Sequence, residues 1–270
     1  MSDIKTLLAQ GEIAAAIEQL KNALRDDPRN LSARGSYIEL LCIDGQLEKA
    51  DQQLDMMVRQ DPETAAGASN LRRLIHAAQA RLDFYNGGDT SSLLGEADAE
   101  VETLLKLRVA LVKEEAEVAE LAAALEEQRN TCPLLINGEA AEDVRDLDDS
   151  LCGFLELLGT DGKFYFIKWA DVIHLDIKPA TSLVEHIWRP AVIQTTAGAD
   201  GDVFIPMTYA GSNTPHQKLG RETDWHQAGE AEVFTGIGFK QILVNDEALN
   251  LADVTTLAPQ VLVESAAVAE

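Results

Sequence analysis

The residues best suited to metal chemistry in this sequence are two pairs of His and Asp. His174 and Asp176 alternate along one predicted strand, and Asp224 and His226 flank Trp225. Zinc sites usually have tighter ligand spacings, such as two His separated by three residues. The observed spacing therefore favours ordinary polar positions on strands, and we predict no metal site.

Three further motifs suggest chemistry but lack the context that it needs. The run Gly236–Lys240 (GIGFK) is similar to a phosphate-binding loop, yet it has no third Gly and lies among strand-forming residues. Cys152 has no catalytic motif around it and is predicted to be a buried structural thiol. Asp148 and Asp149 lie in an acidic stretch and are predicted to be solvated. We therefore predict no catalytic residue and no cofactor.

Short runs of Trp, Tyr and Arg in the second half of the chain are more distinctive. Arg and Trp dominate the energetics of protein interfaces. Either the rings fill the core while the Arg side chains pair with carboxylates, or these runs form a binding surface. The residues that distinguish the runs are Trp188, Arg189, Pro190, Pro206, Tyr209, Gly211, Arg221, Thr223 and Trp225.

The composition excludes several classes of partner. The chain has 270 residues with 46 acidic and 22 basic side chains, a formal net charge of −24. Nucleic-acid binders need a basic face and anionic membranes repel an acidic surface, so we expect no nucleic acid and no membrane as partners.

No apolar run reaches the roughly 18 residues of a membrane span, and the chain starts with no signal-peptide pattern. The three dispersed Cys favour neither disulfides nor zinc, and we expect a cytoplasmic protein.

A 34-residue repeat organises the first half of the chain. Gly11–Leu20 aligns with Gly45–Leu54, and the same offset maps Asp27-Pro28 onto Asp61-Pro62. This period, with small residues at fixed helix positions, is typical of tetratricopeptide (TPR) repeats. The Gly residues suit the turn between paired helices, and Pro cannot lie in a helix interior. The predicted helices span residues 3–10, 13–26, 30–43, 47–59 and 64–85.

A further helical stretch, residues 93–128, follows a break at Asn86–Asp89 and a predicted cap at Ser91 or Ser92. One interpretation is a helix or two helices that pack on the repeats. The other is a coiled-coil dimerisation segment. The second interpretation rests on apolar residues that recur every seven positions, at Leu104, Leu111, Val118 and Leu125.

Aromatic residues mark the change to a second architecture. Acidic residues are spread over both halves, but 11 of the 14 aromatic residues follow residue 150, in a region rich in Val, Ile and Thr. We predict an α+β fold, with N-terminal TPR-like α-helical repeats followed by a smaller β-rich C-terminal domain. The predicted domains are residues 1–130, an acidic junction at 131–149, and 150–270. Predicted strands lie at 154–158 and 163–167, which form a hairpin, and at 191–195, 202–206, 232–240 and 241–244. Residues 169–175 are predicted to form a turn and another short strand, residues 215–225 a loop or short helix, and the segment from Pro259 to end in frayed residues.

Four runs in the second half resemble one protein family. They are Ile187–Ala191 (IWRPA), Ile205–Ser212 (IPMTYAGS), Leu219–Trp225 (LGRETDW) and Gly236–Gln241 (GIGFKQ). Together with the preceding helical repeats, they closely resemble the ImpE/TagJ family, also called SciE type. The resemblance covers nearly the whole chain and implies a non-enzymatic accessory protein of a bacterial type VI secretion system.

The resemblance also implies partners. The first is the N-terminal helix of the small contractile-sheath subunit (TssB/VipA type). The second possible partner is the ClpV ATPase, which recycles the sheath. Through these partners the protein would influence sheath assembly or recycling. Stacked TPR pairs form a concave groove that accepts an amphipathic helix, and an acidic surface attracts one with basic flanks. The first helix of each pair lines such a groove, which points to Ile4, Leu7, Leu8, Arg34, Tyr37, Ile38 and Leu41.

Two other functions stay open on the sequence alone. The β-rich region could be an enzymatic or small-ligand module that the repeats merely dock. That function requires a deep pocket that gathers Arg189, Arg221, Tyr209 and Trp225 around free space. Alternatively, the chain could be a structural scaffold that dimerises through residues 93–128.

Overall fold

The computed structural model describes residues 2–88, 91–93 and 97–260, and it begins with five helices in TPR-like pairs. They are α1 (Ser2–Ala9), α2 (Ile13–Asp26), α3 (Leu31–Asp44), α4 (Leu47–Gln60) and α5 (Ala65–Tyr85). Gly11 and Gly45 have φ of 78° and 80°, so each occupies the left-handed turn that the 34-residue repeat assigns to it. The predicted helices and their repeat are confirmed.

A strand, rather than a helix cap, follows the repeats. Both Ser residues that were predicted to cap a helix lie in β1 (Ser91–Leu93), so that prediction is wrong. The next helix, α6 (Ala99–Lys113), is capped by Asp98, whose carboxylate accepts a hydrogen bond from Val101 N at 3.1 Å. Glu114 ends α6 with a left-handed φ of 55°, and α6 packs against α7 (Val118–Gln128). The structure therefore favours two helices packed within one chain over a continuous coiled coil.

The rest of the described chain is mainly β-structure around one large mixed sheet. Its order is β1-β6-β5-β9-β8-β7-β14-β2-β3, with β1 parallel to β6 and the predicted hairpin present as the antiparallel pair β5–β6. The elements are β2 (Leu134–Ile136), β3 (Glu139–Ala141), β4 (Val144–Asp146), β5 (Phe154–Gly159), β6 (Phe164–Lys168), β7 (Val172–Ile177), β8 (Trp188–Thr195), β9 (Asp200–Pro206), α8 (Pro215–Lys218), β10 (Thr223–Gln227), β11 (Phe234–Gly238), β12 (Gln241–Val244), β13 (Glu247–Asn250) and β14 (Thr256–Pro259). The predicted fraying of the last residues lies outside the described residues, apart from Pro259 and Gln260.

The stretch that the sequence marks as an acidic junction contributes structure to the sheets. β2 and β3 extend the large sheet, and β4 pairs with β12 in a smaller one. Asp148 is only 3% exposed, so the prediction that it is solvated is wrong. Its carboxylate is instead a buried acceptor for the backbone N–H groups of Ser150 and Gly236, at 2.8 and 2.9 Å.

The two faces of the large sheet belong to different cores. Alternate residues of β5 point to opposite faces. Phe154 and Leu158 join the core that includes the helices, whereas Leu155 and Leu157 join a second core within the β region. The helix α5 packs on the first face of β5 and β6, and this packing is the main junction between the helical and β regions.

Candidate functional site

A fully buried set of charges joins α5 to the large sheet. Glu156 lies at the centre of β5 on the face that packs against the helices, and it is 0% exposed. Arg81 of α5 donates from Nε and Nη2 to its two carboxylate oxygens, each at 2.8 Å. Lys240 Nζ lies 2.9 Å from Glu156 Oε2 and 3.1 Å from Asp146 Oδ2. We call Arg81, Asp146, Glu156 and Lys240 the junction cluster.

The electrostatics of the junction cluster favour ion pairing over proton transfer. Burial raises the pKa of Glu156, but the neighbouring Arg81 and Lys240 outweigh burial and hold that pKa well below its ordinary value. At Asp146 burial dominates, and its pKa is raised despite the attraction of Lys240. Burial lowers the pKa of Lys240, and the carboxylates of Asp146 and Glu156 raise it by more. Two cations thus face two carboxylates, and a shift of α5 would leave a buried charge without its partner. The cluster therefore fixes how α5 lies on the sheet.

The GIGFK run supports the junction cluster instead of binding a phosphate. Its lysine, Lys240, is one of the two cations of the cluster. Gly236 lies against the ring of Tyr209, where a Cβ atom would come within 2.3 Å of Tyr209 Cε2. The Tyr209 hydroxyl in turn lies 2.9 Å from Asp146 Oδ1. Gly238 has a left-handed φ of 82°. These contacts account for both glycines and the lysine without a nucleotide.

The aromatic residues of the family-like runs are packed in the core. Trp188 and Tyr209 are 6% and 2% exposed. Trp225 is half-buried, with its ring centroid 5.9 Å from that of Tyr209. Pro190 and Pro206 lie in the antiparallel pair β8–β9. These positions match the expectation that the rings fill the core.

The two Arg residues of these runs bind backbone carbonyls rather than the carboxylates expected from the sequence. Arg189 Nε donates to Glu185 O at 3.0 Å, and Arg221 Nη1 donates to Ala9 O at the end of α1, at 2.7 Å. They have separate partners, so the structure does not gather the four side chains expected of a ligand pocket. Thr223 is also structural, since its Oγ1 donates to Phe239 O at 2.8 Å, whereas a Cβ at Gly211 would make only an ordinary contact, 3.8 Å from Gly236 O.

Most residues that were expected to line a partner groove are packed inside the protein, and the β region contacts α3 through other side chains. Leu183 N donates to Glu39 Oε2 of α3 at 3.2 Å, and Lys218 of α8 lies 2.9 Å from Asp44 Oδ1. The β region thus packs against α3 and, through β5 and β6, against α5. Among the seven residues predicted to line a groove, Leu8, Arg34, Tyr37, Ile38 and Leu41 are buried, while Ile4 and Leu7 are half-buried.

Arg34, one of these seven residues, makes its hydrogen bonds within the repeats. Its guanidinium donates to Pro28 O at 2.8 Å and to the side-chain oxygens of Gln53 and Gln60. All three acceptors lie within the helical repeats. The side chain therefore joins α3 to α4 and to the preceding turn.

Two cavities border the junction between the regions. The first, of about 620 Å³, lies between α5 and the strands β8 and β9. The second, of about 930 Å³, lies between the α6–α7 turn and the hairpin β10–β11. Residues that line the first include Gly67, Asn70, Leu71, Leu74, Val192, Val203 and Phe204, and those that line the second include Tyr85, Arg108, Leu111, Val112, Ala119, Ala228 and Ala231.

Sequence reasoning did not identify the charged residues of the junction. Glu156 carried a usable signal, because an acid within the apolar run Phe154–Leu158 implies a buried partner. Arg81 and Arg108 carried none, because an Arg on a helix is ordinarily exposed.

Across the described ranges, no helix has both the length and the apolar character to cross a membrane, and no three His, Cys, Asp or Glu side chains cluster as a metal site.

Comparisons with known proteins agree with these two regions. Residues 138–258 match the family model described as ImpE protein, and residues 7–75 match a tetratricopeptide repeat model. The chain is similar to the type VI secretion system accessory component TagJ of Pseudomonas aeruginosa, with 25% identity over 231 residues, 83% of this chain and 80% of that protein.

A solved structure supports the fold along nearly the whole chain. The crystal structure of protein VPA1032 from Vibrio parahaemolyticus superposes with a TM-score of 0.91 and 41% sequence identity, over 95% of this chain and 97% of that one. The helical repeats, the family-like runs and the matched β region are thus found together in one chain. The chain belongs to the ImpE/TagJ family.

Proposed function

We propose that this protein is an accessory component of a bacterial type VI secretion system that acts by binding other proteins rather than by catalysis. The observation that carries the proposal is the similarity to TagJ over 83% of the chain, which includes the helical repeats. TPR repeats serve mainly as binding scaffolds. The junction cluster is consistent with this function, because its charges are paired with one another inside the protein.

The proposed partner is the N-terminal helix of the small contractile-sheath subunit (TssB/VipA type). Through it the protein would influence assembly of the sheath or its recycling by the ClpV ATPase. The net charge of −24 favours a helix with basic flanks, because opposite charges steer association. An amphipathic helix laid in an apolar groove is a common recognition mode.

The proposed binding surface is the cavity between α5 and the strands β8 and β9, which we call the α5 groove. Gly67, Asn70, Leu71 and Leu74 follow one face of α5 at helical spacing and form one wall. Apolar residues of the two strands form the other wall. The charged residues that line it are Glu185, Asp202 and Lys178, so acidic groups outnumber basic ones there.

The first experiment tests the partner. A labelled synthetic peptide of the sheath subunit's N-terminal helix is titrated with the full chain, and fluorescence anisotropy is recorded at several salt concentrations. We expect saturable binding that weakens as salt rises, because exposed charges are screened. A sheath subunit that lacks this helix but is captured as well as the intact subunit would show that the helix is not the binding segment.

The second experiment tests the α5 groove. Gly67 is exposed, and a Cβ there would have no atom within 4 Å. Gly67→Leu therefore places a side chain in the groove while improving helix propensity by up to about 1 kcal/mol. We expect thermal stability to be kept or raised and peptide affinity to fall at least tenfold. Gly67→Ala is the matched control and should bind as the wild type does. Equal affinity of Gly67→Leu would exclude this groove but not the adaptor function.

A further inference from the structure

A cation lines the 930 Å³ cavity and has no carboxylate partner among the described residues. Arg108 of α6 lines this cavity and is 7% exposed. Its Nη2 donates to Ser150 Oγ at 2.6 Å, whereas its Nε is buried and has no hydrogen-bond partner among the described residues. The Ser150 hydroxyl in turn donates a hydrogen bond to Asp148 Oδ1 at 2.6 Å. Asp148 is therefore linked to Arg108 through the hydroxyl group of Ser150.

Three other cations with buried side chains are paired directly with carboxylates. Arg81 and Lys240 bind carboxylates within the junction cluster, and Arg129 lies 2.6 Å from Asp143 Oδ1. The buried Arg34 instead donates from Nε, Nη1 and Nη2 to neutral amide and carbonyl oxygens, so it differs from Arg108 in that its Nε has an acceptor. A buried charge is costly unless it is paired and hydrogen-bonded. Within the part of the chain that the structure describes, no carboxylate lies within salt-bridge distance of Arg108, so its environment has the features of an anion site.

Tyr85 provides a second donor at the same place. The Arg108 guanidinium lies over the Tyr85 ring, 4.1 Å from its centroid. The Tyr85 hydroxyl is buried and also has no hydrogen-bond partner among the described residues. Burial raises the pKa of Tyr85 well above its ordinary value, so the hydroxyl keeps its proton and can donate. A guanidinium and a hydroxyl thus supply donors at one point of the cavity wall.

The remaining walls limit the ligand. Leu111, Val112 and Ala231 supply apolar surface, which favours a short hydrocarbon body. Glu114, Glu115 and Glu230 also line the cavity and are exposed. These acids repel a ligand that carries more than one negative charge, so phosphates and nucleotides are disfavoured.

We propose that this cavity is a binding site for a monocarboxylate with an apolar body, whose carboxylate is held by Arg108 and Tyr85. This chemistry is present both in free aliphatic acids and at the C-terminus of an apolar peptide. The site is separate from the α5 groove and does not depend on the proposed partner helix. The structure assigns Arg108 as the anion-binding residue and Tyr85 as its hydrogen-bonding neighbour.

Four probes test the ligand chemistry with the full chain. Hexanoate, hexanamide, the peptide Ala-Leu-Val and its C-terminal amide are each titrated by ligand-observed NMR to about 10 mM, the affinity range of ligands this small. We expect saturable binding of hexanoate, the free peptide or both, and at least tenfold weaker binding of the amides, because charge-assisted hydrogen bonds are stronger than neutral ones. Preference for hexanoate or for the peptide identifies the source of the ligand.

Three variants and a control test the residues. Arg108→Gln should weaken binding of the preferred carboxylate at least tenfold, and Tyr85→Phe should weaken it several-fold. Ala119 is exposed and lines the cavity, so Ala119→Trp should obstruct the site even if Arg108→Gln disturbs folding. Arg73→Gln, at an exposed position of α5, is the matched control and should bind as the wild type does. The proposal is overturned if no carboxylate probe binds, if the amides bind equally well, or if Ala119→Trp leaves binding unchanged.

Discussion

Glu156 is the fully buried carboxylate that both cations of the junction cluster contact. It lies in the run Phe154–Leu158 and would be unacceptable there as an isolated charge. Arg81 of the helical region donates two parallel hydrogen bonds to it, and Lys240 of the β region pairs with it as well. An ion pair of this kind is weak evidence for high stability, because desolvation offsets much of the attraction. It nevertheless selects one placement of α5, since any shift leaves a buried charge unpaired.

The pKa of Glu156 predicts a specific pH dependence. Its folded pKa is below the ordinary value near 4.3, so its stabilising contribution is complete above that pH and is lost as the pH falls through and below it. Glu156→Gln should cost about 3–5 kcal/mol at pH 7, because it leaves cations without their partner. Below about pH 4.3 the advantage of the wild type should shrink by up to about 1.4 kcal/mol per pH unit. Urea unfolding of both proteins from pH 7 to pH 3 measures this difference.

The control for that experiment is an exposed carboxylate. Glu102→Gln removes a surface charge that lies 3.7 Å from Lys106 one turn away, with both side chains more than half exposed. Such a pair contributes little to stability, so this variant should follow the wild type at every pH. A constant difference between the wild type and Glu156→Gln across the acid range would show that Glu156 is not held ionised in the folded protein.

At the scale of elements, two equivalent glycines have different surroundings. Gly11 and Gly45 are related by the 34-residue repeat and share a left-handed φ. A Cβ at Gly45 would have no atom within 4 Å, whereas a Cβ at Gly11 would lie 2.6 Å from Nε2 of His216 in α8. The α1–α2 turn is therefore also a contact between the repeats and the β region.

This difference gives a matched pair of substitutions. Gly45→Ala should cost about 1–2 kcal/mol from the left-handed backbone alone, and Gly11→Ala should cost more because its methyl group also displaces His216. Denaturant unfolding measures both. In a His216→Ala background the two costs should become similar, as a double-mutant cycle would show. If they are equal already in the wild-type background, the contact between Gly11 and His216 contributes nothing measurable.

The elements that the sequence predicts best are those with local, repeated signals. Helices α2 to α5 could be placed because Gly45, Pro28 and Pro62 punctuate a regular pattern. The short strands β2 to β4 could not be placed, because they lie in an acidic stretch and are stabilised by partners far along the chain, such as β12 and β14. The contacts of Glu39 and Asp44 with the C-terminal region could not be predicted for the same reason, since nothing local in α3 indicates them.

The whole molecule therefore behaves in this structure as one packed unit built from two architectures. Arg221 binds the end of α1, Lys218 binds the end of α3, and Arg81 of α5 enters the junction cluster. The first helix of each repeat pair is thus tied to the β region. The α5 groove and the Arg108 cavity both lie where residues of the helical and β regions meet.

The distribution of spectroscopic probes makes this coupling measurable. All three Trp residues, Trp169, Trp188 and Trp225, lie in the β region, whereas α1 to α7 precede it. Circular dichroism at a helix wavelength and Trp fluorescence therefore report separate regions. If the regions unfold as one unit, the two urea transitions of the wild type should coincide.

Breaking the junction should separate these two transitions. Arg81→Met removes the contribution of α5 to the junction cluster, so we expect the helix signal and the Trp signal to have different midpoints. Arg72→Met is the matched control on the same helix, because Arg72 pairs with Asp51 and Asp55 inside the repeats. It should lower stability without separating the transitions. If Arg81→Met keeps a single transition while its midpoint falls, the apolar contacts of α5 with β5 and β6 are sufficient to couple the regions, and the ion cluster selects their geometry alone.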